Sequence, residues 1–199
     1  MIMSNNSKNI TGLFFGSFNP IHIGHLIIAN YFVQFTPINK ILFVVSPQNP
    51  FKINENMLDE NIRLNLVSMA VEDNPLFDVT DVEFNMEKPS YTYKTLKYLV
   101  SQSAEDKFVL IIGSDNLEEF DKWKNYEEIL EMVDVYVYPR PGFTHSKFLQ
   151  HPAINFKSAP VLEVSSSFIR TSIAEGKDPK YLLPEKVYKS IMENDYYRK

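Results

Sequence analysis

Two histidines three positions apart carry the clearest chemistry in this sequence. They lie in Gly16-Ser17-Phe18-Asn19-Pro20-Ile21-His22-Ile23-Gly24-His25. The apolar run Ile10-Thr11-Gly12-Leu13-Phe14-Phe15 comes before it, and apolar residues recur after it at Leu26, Ile27, Ala29, Phe32 and Val33. That pattern predicts a buried strand over 10–16, a tight turn and a helix over 23–35. Such a junction turns unpaired backbone N–H groups and the positive end of a helix toward an anion. Gly16 permits close backbone approach there, and Gly24 keeps the helix start uncluttered. Paired imidazoles on one helical turn can donate hydrogen bonds to a phosphate and offset charge building at phosphorus. Either ring can instead cap or pack. Zinc is poorly served, because no nearby carboxylate or cysteine completes a tetrahedral shell.

A second phosphate-suited cluster is Ser165-Ser166-Ser167-Phe168-Ile169-Arg170. Serines at a helix start either cap it or offer hydroxyls to phosphate, and Arg170 adds a rigid multidentate donor. Gly113-Ser114-Asp115 ends a strongly apolar run; Asp115 either receives ribose hydroxyls or caps the following helix. Lys52, in the loop Pro47-Gln48-Asn49-Pro50-Phe51-Lys52, and Arg140, before Pro141-Gly142, are cations that reach phosphate or stay solvated. Trp123, the only tryptophan, either anchors packing or stacks on a flat heteroaromatic ring. Pro89-Ser90-Tyr91-Thr92 opens a helix whose backbone groups can meet that same ring.

These residues need a scaffold that gathers them. Further strands are predicted over 40–46, 77–82, 108–112, 133–138 and 161–164. Helices are predicted over 59–73, from Thr92, near 117–120 and 124–131, from the serine triplet, and from Pro184 to about 194. Near-continuously apolar strands alternating with helices predict an α/β fold. Its Rossmann-like, doubly wound, mainly parallel sheet has helices on both faces and a small C-terminal helical portion. The polar clusters at 16–25, 46–52, 113–116 and 139–142 all follow strands, so they converge at the carboxyl edge, where open α/β sheets bind ligands.

The composition sets bounds. At 199 residues and 44% hydrophobic, one domain is expected, with residues 1–9 as a disordered lead. A net charge of −5 without a basic block argues against an extended nucleic-acid footprint. The absence of cysteine excludes disulfides, thiol nucleophiles and thiolate metal sites. No stretch reaches membrane-spanning length and no targeting pattern opens the chain, so a cytoplasmic location without a membrane partner is expected. Oligomeric state is left open, a homo-oligomer included. Neither G-x-G-x-x-G nor G-x-x-x-x-G-K-S/T occurs, so the usual dinucleotide and NTPase fingerprints fail.

With these residues in view, the chain resembles the bacterial nicotinate-mononucleotide adenylyltransferase family of the nucleotidyltransferase α/β-phosphodiesterase superfamily. The His-x-Gly-His motif at 22–25 resembles the superfamily at large. The closer likeness rests on Pro89-Ser90-Tyr91-Thr92 with Thr95-Leu96, Ile112-Gly113-Ser114-Asp115, Trp123, Arg140-Pro141-Gly142 and Ser165 to Arg170, in the family's order along nearly the whole chain. The resemblance implies a single nucleotidyltransferase domain over 1–199, with its C-terminal phosphate-binding motif and helices at 161–199. It implies AMP transfer from ATP to nicotinate mononucleotide in NAD biosynthesis, with Mg²⁺ accompanying ATP. Nicotinamide mononucleotide or phosphopantetheine as acceptor, or a noncatalytic nucleotide-binding module, are the alternatives.

Residue by residue, the resemblance implies that His22, His25 and Arg170 carry catalysis. Gly16, Ser17, Phe18, Gly24, Gly113, Asp115, Ser166 and Ser167 complete the ATP site with them. Asn19, Lys52, Ser90, Tyr91, Thr92, Trp123, Lys124 and Arg140 are implied to receive the acceptor, and no dedicated protein metal site is implied. Departures stand at Asn19, where many relatives have aspartate, at Ser114 for alanine, at Ser167 for threonine and at Lys124 for tyrosine.

Overall fold

The computed structural model describes residues 9–48, 57–103, 106–142 and 147–198. Six strands form one parallel sheet: β1 (Ile10–Gly16), β2 (Lys40–Val45), β3 (Phe77–Thr80), β4 (Lys107–Gly113), β5 (Asp134–Tyr138) and β6 (Ile154–Phe156), in the order β3-β2-β1-β4-β5-β6. Register is continuous across the centre, with Leu13 opposite Leu42 on one side and Leu110 on the other.

Strand alternation divides the apolar residues between two faces. Phe14, Phe43, Val109 and Ile111 point to one core, which is closed by α1 (Ile23–Phe35), α2 (Glu60–Val71), α6 (Ser166–Ala174) and α7 (Glu185–Glu193). Leu13, Leu110, Ile112, Val135 and Val137 point to the other, closed by α3 (Thr92–Gln102), α4 (Ser114–Glu118) and α5 (Tyr126–Met132). Burial on both faces explains why the central strands read as uninterrupted apolar runs. The fold is thus the Rossmann-like, doubly wound parallel sheet that the sequence predicts.

Helix starts follow local chemistry. The Asp59 carboxylate accepts from the Asn61 N–H at 2.8 Å, and Ser165 Oγ accepts from the Phe168 N–H at 3.2 Å, each satisfying an orphan donor of the first turn.

Three elements differ from expectation. The helix placed near 117–120 begins at Ser114, immediately after Gly113, so Asp115 lies in its first turn. The strand expected at 161–164 joins no ladder. The sixth strand is Ile154–Phe156 instead, paired to β5. Among the described residues, no helix is long and apolar enough to cross a membrane.

Candidate active site

The chain reverses direction across the sheet between β1 and β4, since β1 leads outward to β2 and β3 while β4 leads to β5 and β6. At the carboxyl edge of that switch point lies a cleft of about 530 Å³, a size suited to a small-molecule ligand. Its floor is Phe14, Phe15 and Gly16 from β1 and Ile111, Ile112 and Gly113 from β4. Its far wall carries Glu83, Ser90, Tyr91, Thr92, Lys122, Trp123 and Lys124. Phe14 and Tyr138 line both this cleft and an adjoining recess that holds His22, Gly24, His25 and Arg140.

The two imidazoles stack, with ring centroids 3.7 Å apart and planes 25° from parallel. His22 is the N-cap residue of α1, and its backbone N–H donates to His25 Nδ1 at 3.2 Å. That bond makes Nδ1 the unprotonated nitrogen of a neutral His25 ring and puts its proton on Nε2. His22 is 3% exposed. Burial, aided by the Arg140 charge, lowers its pKa to about 4, so the ring is neutral near pH 7. Its Nδ1 has no hydrogen-bond partner among the described residues, which is unusual for a buried polar atom.

Gly24 makes room for this arrangement. A Cβ there would lie 3.0 Å from both Cε1 and Nδ1 of His22. At Gly16 a Cβ would meet the Phe18 ring at 2.8 Å. Phe18, at φ 44°, turns its ring into the core, edge-on to His25 at 5.1 Å. It therefore supports the histidine from behind.

The start of α6 closes the other side of the turn. Arg170 Nη1 donates to the Asn19 carbonyl at 2.9 Å and Nη2 to Ser167 Oγ at 3.3 Å. Ser166 Oγ donates to the Pro20 carbonyl at 2.8 Å. The serine and arginine cluster thus reaches the histidine turn across about 150 positions of sequence, as the separations 146 and 151 state. Asn19 is buried, and its Oδ1 accepts from the Leu58 N–H at 3.2 Å.

Asp115 Oδ2 lies 3.8 Å from Arg140 Nε, and the Arg140 backbone N–H donates to Ser114 Oγ at 2.9 Å. Both side chains are about one-third exposed. Tyr138, beneath them, has its hydroxyl pushed up to about 12, by burial first. On the far wall, Trp123 is half-buried, tilted on Phe120 at 5.2 Å, and lines the cleft, so the packing role is observed and the ring is also open to the cleft. Lys124 Nζ sits 4.6 Å over the Tyr91 ring. Lys52 lies outside the described residues.

Three supporting residues escaped the sequence reading as members of the site. Arg63, 1% exposed, donates to four backbone carbonyls: Leu58 at 2.9 Å, Ser17 at 2.6 Å, Ser46 at 2.8 Å and Pro47 at 2.9 Å. It ties the ends of β1 and β2 to the start of α2. Burial lowers its pKa. Glu83, also 1% exposed, accepts from Ser90 Oγ and Thr95 Oγ1, each at 2.7 Å, which pins the segment entering α3. Tyr197 reaches Asn19 from the C-terminal tail. No local pattern announces such contacts, because the partners are backbone carbonyls for Arg63, a residue 178 positions away for Tyr197 and, for Glu83, hydroxyls 7 and 12 positions ahead across a loop.

The cytidylyltransferase-like family model matches residues 13–172. The chain is 46% identical over 186 residues to the probable nicotinate-nucleotide adenylyltransferase of Cytophaga hutchinsonii, covering 94% of this chain and 97% of that one. A counterpart of the same description from Bacteroides fragilis is 46% identical over 187 residues, covering 94% and 93%. This chain belongs to the nicotinate-nucleotide adenylyltransferase family. Its fold also matches the solved nicotinic acid mononucleotide adenylyltransferase of Plasmodium falciparum complexed with NaAD. That match has a TM-score of 0.81 at 18% identity and covers 95% and 97% of the two chains. Within this adenylyltransferase family scaffold, the segments that the sequence singles out at 16–25, 90–92, 113–115, 123–124, 140 and 165–170 all border the cleft, its recess or the turn between them.

Proposed function

We propose that this chain transfers AMP from ATP to nicotinate mononucleotide, forming nicotinate adenine dinucleotide and pyrophosphate in NAD biosynthesis. The observation that carries the reading is the stacked His22–His25 pair at the start of α1, in a recess sharing walls with a nucleotide-sized cleft.

An oxygen of the acceptor's 5′-phosphate attacks the α-phosphorus of ATP in line. A new P–O bond forms as the bond from the α-phosphorus to the bridging oxygen breaks, and pyrophosphate leaves with the electron pair. The attacking monoester is already largely ionised, its second pKa being about 6, so the protein need not supply a base. It must hold two polyanions together and meet charge as it develops. Neutral His22 and the Nε2–H of His25 serve as preorganised donors at the transferring phosphoryl group. Arg170 and Ser167 take the outer phosphates together with the Ser166 backbone N–H at the start of α6, the Ser166 hydroxyl being engaged by the Pro20 carbonyl, and Arg140 adds positive field beside His22. Asp115 faces the nucleotide sugar, while Tyr91, Thr92 and Trp123 receive the pyridine ring.

Mg²⁺ fits as a partner of the ATP oxygens. The described residues contain no cluster of three metal-binding side chains, and an ion held mainly by phosphates and water needs no such cage. When bound it neutralises triphosphate charge.

The test is pyrophosphate release with ATP and, in turn, nicotinate mononucleotide, nicotinamide mononucleotide and phosphopantetheine. The reading expects the acid to win by at least tenfold in kcat/KM. Equal rates with the amide overturn the acceptor assignment, and no release with any acceptor overturns the activity.

A further inference from the structure

The C-terminal tail does not fray away from the domain. After α7 the chain turns back: the Tyr196 N–H donates to the Ile191 carbonyl at 3.0 Å, and the Arg198 N–H donates to the Asp195 carbonyl at 3.3 Å. Arg198 Nη1 also pairs with Asp195 Oδ1 at 2.5 Å. Two non-glycine residues of this short segment, Asp195 at φ 53° and Tyr197 at φ 67°, adopt the left-handed region. At Asp195 this is the left-handed residue of the Schellman turn that ends α7, its N–H donating to the Met192 carbonyl at 3.4 Å; at the bulky Tyr197 the conformation is held by its surroundings. Tyr196 and Tyr197 pack against the core on the face of the sheet closed by α1, α2, α6 and α7.

The result is a long-range contact at the histidine turn. The Tyr197 hydroxyl donates to Asn19 Oδ1 at 2.8 Å, across 178 positions of sequence. Burial pushes the pKa of that hydroxyl well above its ordinary value, so it remains a donor at any working pH. Asn19 stands three residues before His22. Its side chain is held by Tyr197 and by the Leu58 N–H, and its carbonyl by Arg170. The next carbonyl, of Pro20, is held by Ser166. The backbone leading into the stacked imidazoles is therefore gripped from α6 on one side and from the tail on the other.

We infer that Tyr197 is a positioning residue: through Asn19 it fixes the turn that places His22 and His25 for phosphoryl transfer. The inference rests on the adenylyl-transfer reading. The Asn19 amide oxygen takes both donors, the Tyr197 hydroxyl and the Leu58 N–H.

Three variants separate this role from simple packing: Tyr197→Phe, which keeps the ring and loses the hydroxyl; Tyr197→Ala; and a chain ending at Asn194. Each is compared with the wild-type full chain for kcat, for the KM of both substrates, and for the nitrogen chemical shifts of the His22 and His25 imidazoles. The expected result for Tyr197→Phe is a kcat lowered about fivefold, the equivalent of one hydrogen bond. Both KM values should stay within about twofold, and the imidazole shifts should move. Tyr197→Ala and the truncation should lose more. Wild-type kcat and an unaltered imidazole spectrum in Tyr197→Phe, with only Tyr197→Ala impaired, would mean the ring merely packs and would overturn the inference. A wild-type chain without adenylyl transfer would overturn the functional reading instead, and the imidazole spectrum of Tyr197→Phe would still decide this one.

Discussion

Gly24→Ala sets the geometry of the histidine pair against the stability of its helix. The added methyl would sit 3.0 Å from His22 Cε1 and Nδ1, whereas ordinary contact begins at 3.4 Å. The ring must therefore yield by about 0.4 Å. It cannot swing into solvent, being 3% exposed, and His25 is stacked on it at 3.7 Å. If a misplacement of about 1 Å costs about a hundredfold in rate, a displacement of 0.4 Å scales to roughly sixfold. Helix propensity pulls the other way, since alanine is favoured over glycine by up to about 1 kcal/mol inside a helix. The predicted variant melts at or slightly above the wild-type temperature, yet turns over about sixfold more slowly with little change in KM. Steady-state pyrophosphate release and differential scanning calorimetry on the same preparations provide the check. Turnover within twofold of wild type at unchanged melting temperature would refute the claim that the His22 ring position limits the rate.

Two further perturbations test the supports. His22 has a folded pKa of about 4 against 6.5 for a free imidazole, so on acidification the unfolded chain takes up this proton first. Its contribution to stability is full above about pH 6.5, falls as pH drops toward 4 and is level below that. The difference amounts to about 3 kcal/mol. Urea unfolding at a series of pH values should show wild type losing that much more stability than His22→Gln between pH 7 and 4, and parallel curves would contradict it. Arg63→Met leaves four carbonyls without their buried donor and should cost about 3 kcal/mol or more in denaturant unfolding. Arg63→Lys should recover little of this, because one ammonium cannot span the same fork of acceptors; full recovery would show that charge alone suffices.

The strand–turn–helix at the histidines was legible in the sequence because three signals coincide there: an apolar run, a polar break with glycine, and a 3.6-residue apolar period. The parallel order could be read because β1, β2 and β4 are buried on both faces and so lack alternation. The edge of the sheet could not. Ile154–Phe156 is three residues long, too short to show a period, while Val161 to Val164 looked extended and apolar but Val161 is 57% exposed. The start of α4 was misplaced because its five residues, Ser114–Glu118, are largely polar and follow the strand without a linker. Type and spacing single out His22, His25, Asp115, Trp123, Arg140 and Ser165 to Arg170 as chemistry-bearing, and the family resemblance supplies their roles and the remaining site residues. Among their supports, Arg63 and Tyr197 act through contacts that exist only once the sheet has brought distant segments together, and Glu83 acts across the irregular loop before α3, which has no period to read.

The central claim is that His22 and His25 act on the transferring phosphoryl group. It is tested most directly by single-turnover adenylyl transfer in His22→Ala and His25→Ala, with ATP and nicotinate mononucleotide affinities measured on the same proteins by calorimetry. Losing one preorganised donor is worth about 2.7–4 kcal/mol in the transition state. Each variant should therefore transfer the adenylyl group about a hundredfold to a thousandfold more slowly, while binding both substrates within a few fold of wild type. Wild-type transfer rates in both variants would contradict the account.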